Sequence, residues 1–164
     1  VILHSLRWRL LVGAGLAILA SLVLAGLFMT LLFARHAERQ MVADLTQDGL
    51  RLAAAASFPP SDAVFNAALE DPRLSTPASG LYWQVTVAEG RNFRSRSLWD
   101  QVLPAAGKPP SDAWRSRLIP GPFGPQVLVV ERLMDTGLGP IEVRVAQDAA
   151  ELHLARQQYG WELA

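Results

Sequence analysis

An α+β fold is predicted, in which a long N-terminal helix, membrane-spanning in its first part, precedes a five-stranded antiparallel sheet and a C-terminal helix. Three observations predict it. Residues Leu10 to Phe33 carry no charge and are almost wholly Leu, Ala, Val, Ile, Gly and Phe. Residues 34 to 57 keep a helix-forming composition without a proline. After Ser79-Gly80 the chain changes to short β-branched and aromatic runs separated by turn residues, as strands and hairpins require.

The apolar run comes first. A helix over Leu10 to Phe33 is about 36 Å long, enough for a hydrocarbon core of about 30 Å. Arg7 and Arg9 stand before it and Arg35 after it, and the cost of charge in lipid sets its limits there. A signal peptide's apolar stretch is about 7 to 15 residues, and this one is longer. A core helix would show a polar face, whereas only Ser21 and Thr30 interrupt the run. The segment therefore reads as an uncleaved membrane anchor. Arg7 and Arg9 favour a cytoplasmic N-terminus, against Arg35 and Arg39 on the other side.

Met41, Leu45 and Leu52 recur at helical spacing, with Asp44, Gln47, Asp48 and Arg51 on other faces. That apolar face has two uses: packing against a second copy, or covering the domain's own sheet. Pro59-Pro60 ends the helix, because the ring removes a donor and restricts the residue before it. Ser61-Asp62 caps a short helix over Ala63 to Leu69, closed by Asp71-Pro72. Strands are expected at Leu81–Val87, Phe93–Ser97, Trp114–Ile119, Val127–Met134 and Ile141–Ala146. Hairpin signals lie at Glu89-Gly90-Arg91-Asn92 and Thr136-Gly137-Leu138-Gly139-Pro140. Pro120 to Pro125 is a stiff connection, Pro104 to Asp112 the longest loop, and Asp148 to Ala164 returns to helix.

Composition narrows the function. Two of the 15 basic residues, Arg7 and Arg9, and none of the 15 acidic ones precede Ala34, so the remainder is net −2. A nucleic-acid partner would need a basic surplus there, and none is expected. Cysteine is absent, which removes disulfides and thiolate metal sites. Lys108 is the one lysine among many arginines, a compositional bias rather than a site. His4, His36 and His153 lie far apart without metal spacing or a phosphoacceptor context, and no G-x-S-x-G occurs. Asp135 and Asp148 are isolated carboxylates. No catalytic residue, metal ligand or resident cofactor is expected in this segment.

The distinctive pieces are Ser79-Gly80-Leu81-Tyr82-Trp83-Gln84-Val85 and Arg94-Ser95-Arg96-Ser97-Leu98-Trp99-Asp100. Strand alternation puts Tyr82 and Gln84 on one face and Leu81, Trp83 and Val85 on the other. By the same rule Arg94 and Arg96 share a face, where two guanidiniums near aromatic rings suit a carboxylate or phosphate. Arg94, Arg96, Tyr82, Trp83 and Trp99 are the candidate ligand residues. The plainer alternatives are cross-strand pairing of the arginines with Glu131 or Glu142 and core packing of the tryptophans.

Taken in order, S-G-L-Y-W-Q-V, R-S-R-S-L-W-D, P-G-P-F-G-P with V-L-V-V-E-R-L, and I-E-V-R-V-A-Q-D at 141 to 148 resemble the input region of PhoQ-like proteobacterial sensor histidine kinases. The resemblance covers about residues 79 to 152. It implies a PAS-like (PDC-type) periplasmic sensor domain between two transmembrane helices of an inner-membrane protein. The implied organisation is a cytoplasmic stub at 1–9, a transmembrane helix at 10–33, the sensor domain at 34–152, and a helix at 153–164 leading toward a second transmembrane segment. A HAMP segment, a phosphoacceptor helix pair and a kinase domain using ATP and Mg²⁺ would follow. The implied partners are the membrane, a second copy in a homodimer and a cognate response regulator. No acidic run lies between 130 and 155, unlike the cation-sensing members. A membrane-anchored adaptor without kinase output, or the input region of a diguanylate cyclase or chemoreceptor, is the alternative.

Overall fold

Helix α1 runs from Leu6 to Ala55. The structure, a computed structural model, describes residues 6–87, 90–104 and 111–150. The chain divides into two units, Val1–Glu38 and Arg39–Ala164. In the first, large apolar side chains such as Leu11, Leu22, Phe28 and Phe33 are exposed around the helix. The Ser21 and Thr30 hydroxyls donate to the Ile18 and Gly26 carbonyls at 2.8 and 2.7 Å. Their polar atoms are thereby satisfied within the helix, as an apolar surrounding requires. α1 is long and apolar enough to cross a membrane.

In the second unit, α1 ends at Ala55, and Ser61 caps helix α2, Asp62–Ala68, by accepting from the Val64 N–H at 3.3 Å. A 3₁₀ turn follows at Pro72–Ser75, capped by Asp71. Arg73 hydrogen-bonds that carboxylate and holds it below its ordinary pKa. Five strands come next: β1 Leu81–Thr86, β2 Asn92–Arg94, β3 Arg115–Pro120, β4 Gln126–Thr136 and β5 Gly139–Asp148. They form one antiparallel sheet in the order β2-β1-β5-β4-β3. β4 and β5 close through the two-residue turn Gly137-Leu138, with Thr136 opposite Gly139. Gly139 has φ 112° there, a conformation open to glycine and costly for other residues.

Both faces of the central strands are covered. On the first face Trp83 and Val85 of β1, Val143 and Val145 of β5, and Leu128 and Val130 of β4 are buried. The second half of α1 lies on them through Leu45 and Leu52, the turn after it through Ala56, and α2 through Phe65. The Met41, Leu45 and Leu52 face thus covers this chain's own sheet: Leu45 is 1% and Leu52 0% exposed, which leaves neither for a second copy. Phe65 packs between Trp83 and Phe93 at centroid distances of 5.7 and 5.3 Å.

Two expectations are corrected. The second strand stops at Arg94 instead of Ser97, and a 3₁₀ turn occupies Arg96–Leu98. The Ser95 N–H still donates to the Trp83 carbonyl at 3.0 Å, and the hydroxyls of Ser95 and Ser97 add to the pairing with β1. Ser95 Oγ accepts from the Trp83 N–H at 3.1 Å, and Ser97 Oγ donates to the Leu81 carbonyl at 2.6 Å. At the other end, β5 extends through Asp148 rather than giving way to helix there. The helix expected at 153–164 lies outside the described residues. Within the unbroken helix α1, Gly49 meets a packing demand that periodicity does not reveal. A Cβ at Gly49 would collide with the Trp114 ring, whose Cζ3 would be 2.7 Å away. Arg132 covers the same ring at 5.8 Å.

Gly49 is therefore kept against its own helix propensity, since alanine is favoured by about 1 kcal/mol at an open helical position. Gly49→Ala is expected to destabilise the protein by about 1–3 kcal/mol through overpacking. With Trp114→Ala already present, the same substitution should become neutral or stabilising. Urea unfolding of the four proteins in that double-mutant cycle checks it; equal effects in both backgrounds would exclude the ring contact as the cause.

Candidate functional site

Two polar centres lie on the second face of the sheet. Register places Gln84 of β1 beside Arg144 of β5, Arg144 beside Glu131 of β4, and Arg117 two residues from Glu131's partner on β3. Arg117 grips Glu131 with two hydrogen bonds at 2.9 and 3.1 Å. Arg144 reaches Glu131 at 3.5 Å and Glu142 at 2.5 Å. Glu131 and Arg144 are 4% and 7% exposed, so their charges need these partners. Chain 98–103 crosses this face. The Leu103 N–H donates to Gln84 Oε1 at 2.9 Å, and its carbonyl accepts from Arg144 Nη1 at 3.4 Å.

The second centre is open to solvent. Arg94, the last residue of β2, shares the second face with Gln84. Its Nη1 donates to the carbonyls of Asp100 and Gln101 at 3.4 and 3.1 Å. Between them the chain turns back: the Gln101 N–H donates to the Leu98 carbonyl at 2.8 Å. Trp99 occupies the first central position of this turn with φ 53° and ψ −115°. These are the angles of a type II′ turn, a position that favours glycine. A bulky residue there stores about 1–3 kcal/mol of strain. Yet Trp99 is not anchored by burial, being 68% exposed. Ser75, Pro77, Arg94, Arg96, Trp99 and Asp100 line a groove of about 440 Å³ at this point.

The structure thus brings together three of the five candidate ligand residues and separates the other two. Arg94, Arg96 and Trp99 meet in the groove. The two arginines do so although Arg96 is in a 3₁₀ turn rather than a strand, because Ser95 between them and Ser97 after them are both buried. Trp83 is 0% exposed in the first core, where Nε1 has no hydrogen-bond partner among the described residues. Tyr82 belongs to the second core with Leu98, Leu103, Ile119, Val127, Val129 and Ala146. Its hydroxyl accepts from the Gly80 N–H at 3.2 Å. Burial, aided by the Asp148 carboxylate, pushes its pKa up, so it stays neutral at physiological pH.

Neither Arg94 nor Arg96 pairs with Glu131 or Glu142; those carboxylates belong to Arg117 and Arg144. The Arg117 and Arg144 roles were missed from the sequence. The β-branched run at Val127–Val130 signals a strand, but its register against β3 and β5 cannot be read from it. His36 is exposed, while His4 and His153 lie outside the described residues. No group of three or more metal-ligating side chains occurs among the described residues. A smaller hollow of about 260 Å³, lined by Ala56, Pro59, Val87, Leu138 and Ile141 among others, contains one charged side chain, Arg91. No protein-family model, curated protein or solved structure matches the chain.

Two outcomes follow from these centres. Glu131→Ala leaves two guanidiniums without their shared carboxylate and should cost about 3–5 kcal/mol. Arg51→Ala, which removes an exposed partner of Asp48, should cost less than about 1 kcal/mol. Similar losses in chemical denaturation would contradict the assigned burial of Glu131. Trp99→Gly relieves the turn and should raise stability by about 1 kcal/mol. A lower melting temperature in that variant would show that the indole is held by packing.

Proposed function

We propose that residues 1–164 are the signal-input region of a two-component sensor histidine kinase, with the anchor at 10–33 in the bacterial inner membrane and the sheet domain in the periplasm. The observation that carries this reading is the composition of α1. One helix contains the apolar run and also supplies Leu45 and Leu52 to the core of the sheet domain. A stimulus that repacks the sheet acts on the very helix that enters the membrane, which is what transmission by a helix shift needs. The PAS-like character of the sheet, its homodimerisation and its coupling to a response regulator through an ATP- and Mg²⁺-using kinase belong to this proposal. The segment itself acts as a non-catalytic sensor. Its open groove at Arg94, Arg96 and Trp99 supports a role in ligand reception.

The absence of cysteine makes topology simple to test. A single cysteine at exposed Ser57 (S57C) should react with a membrane-impermeant maleimide in cells whose outer membrane alone is permeabilised. Labelling only after the inner membrane is broken would overturn the periplasmic placement. The coding DNA downstream of codon 164 should encode a second apolar span and then a phosphoacceptor helix of H-E-x-x-x-P type. A stop codon would replace the kinase reading with that of an anchored adaptor.

A further inference from the structure

We infer that the Arg94–Arg96–Trp99 groove binds a small monocarboxylate carried on a flat ring. The inference rests on the ligand-receiving role proposed above and specifies its chemistry. Four features of the groove lead to it.

The first is a preset cationic fork. Arginine has five N–H donors in one plane. The Nη1 group of Arg94 is committed to the Asp100 and Gln101 carbonyls, which fixes the orientation of the plane. Its Nε and Nη2 groups make no hydrogen bond among the described residues, and they form the edge that a carboxylate meets with two parallel hydrogen bonds. The second feature is Arg96, whose exposed guanidinium has no ion pair or hydrogen bond among the described residues and lines the same groove. Arg117, Arg144, Arg51 and Arg73 of the same unit each hold a carboxylate, whereas Arg96, like Arg91 and Arg115, holds none among the described residues.

The third feature is charge. Asp100 also lines the groove without pairing to either arginine, so the three groups sum to +1. A monoanion balances that charge. A dianion such as a phosphomonoester would bring a second negative charge close to Asp100. The fourth is Trp99. Its backbone takes an unfavourable positive φ while its indole stays largely in solvent. An indole face is a platform for a flat apolar body, and the turn sets it beside the guanidiniums. The groove's volume of about 440 Å³ falls within the usual range for small-molecule sites, about 300–1,000 Å³.

The test uses the full chain in detergent micelles, with isothermal titration of benzoate, acetate and phenyl phosphate at neutral pH. Benzoate should bind at least tenfold more tightly than acetate, which lacks the ring, and than phenyl phosphate, which carries a second charge. Arg96→Ala and Trp99→Gly should each weaken benzoate by tenfold or more, with melting temperatures at or above that of the parent protein. Phenyl phosphate binding as tightly as benzoate would overturn the monocarboxylate class. Acetate matching benzoate, or unaltered benzoate binding by the Trp99→Gly protein, would overturn the stacking role. No saturable binding of any of the three would overturn the site. Benzoate binding in a protein whose gene shows a stop after codon 164 would leave this inference standing while removing the kinase reading.

Discussion

The sheet domain depends on one packing constraint: β5 lies at the centre of its sheet and must bury both sides at once. Ile141, Val143 and Val145 demand an apolar cover, and the second half of α1 with α2 supplies it through Leu45, Leu52 and Phe65. Full burial of a Leu or Val side chain is worth about 1.5–3 kcal/mol. This contact therefore outweighs any single polar interaction in the domain. The position of α1, the tight approach of Gly49 to Trp114 and the placing of α2 all follow from it.

The opposite side of β5 solves a different problem. Glu142 and Arg144 are charged residues in a strand with neighbours on both edges, and they tolerate it because Glu131 and Arg117 lie within reach in register. Chain 98–103 completes the arrangement by offering backbone groups to Gln84 and Arg144. The turn that carries Trp99 is the outer end of that same segment. A buried polar layer and an open groove are thus joined by a few residues of backbone. Arg94 connects them directly, since it leaves the sheet face and ends on the carbonyls of the turn.

Much of this architecture is legible in the sequence, for definable reasons. The long helix, α2 with its Ser61 cap and all five strands announce themselves through composition, capping residues and turn residues, which are local signals. The strand over Phe93 to Ser97 misleads because Ser95 and Ser97 alternate as a strand would, yet the chain turns at Arg96–Leu98 and Ser97 reaches β1 through its hydroxyl. Leu45 and Leu52 are plainly apolar, but periodicity cannot say whether a sheet or a second helix covers them. Arg94, Arg96 and Trp99 are recognisable as a group, because they fall within six consecutive residues. The Arg117–Glu131–Arg144–Glu142 cluster is not recognisable, because it exists only once three strands are aligned.

The sheet's two outer strands carry a further consequence. β2 has three residues before its chain leaves the strand conformation, and β3 presents Arg115, Arg117 and Pro120 along its six residues. Short length, charge and a missing N–H each deny an incoming strand a template. The sheet is consequently finished at five strands. Many copies of this domain could be crowded side by side without knitting their backbones into a fibril.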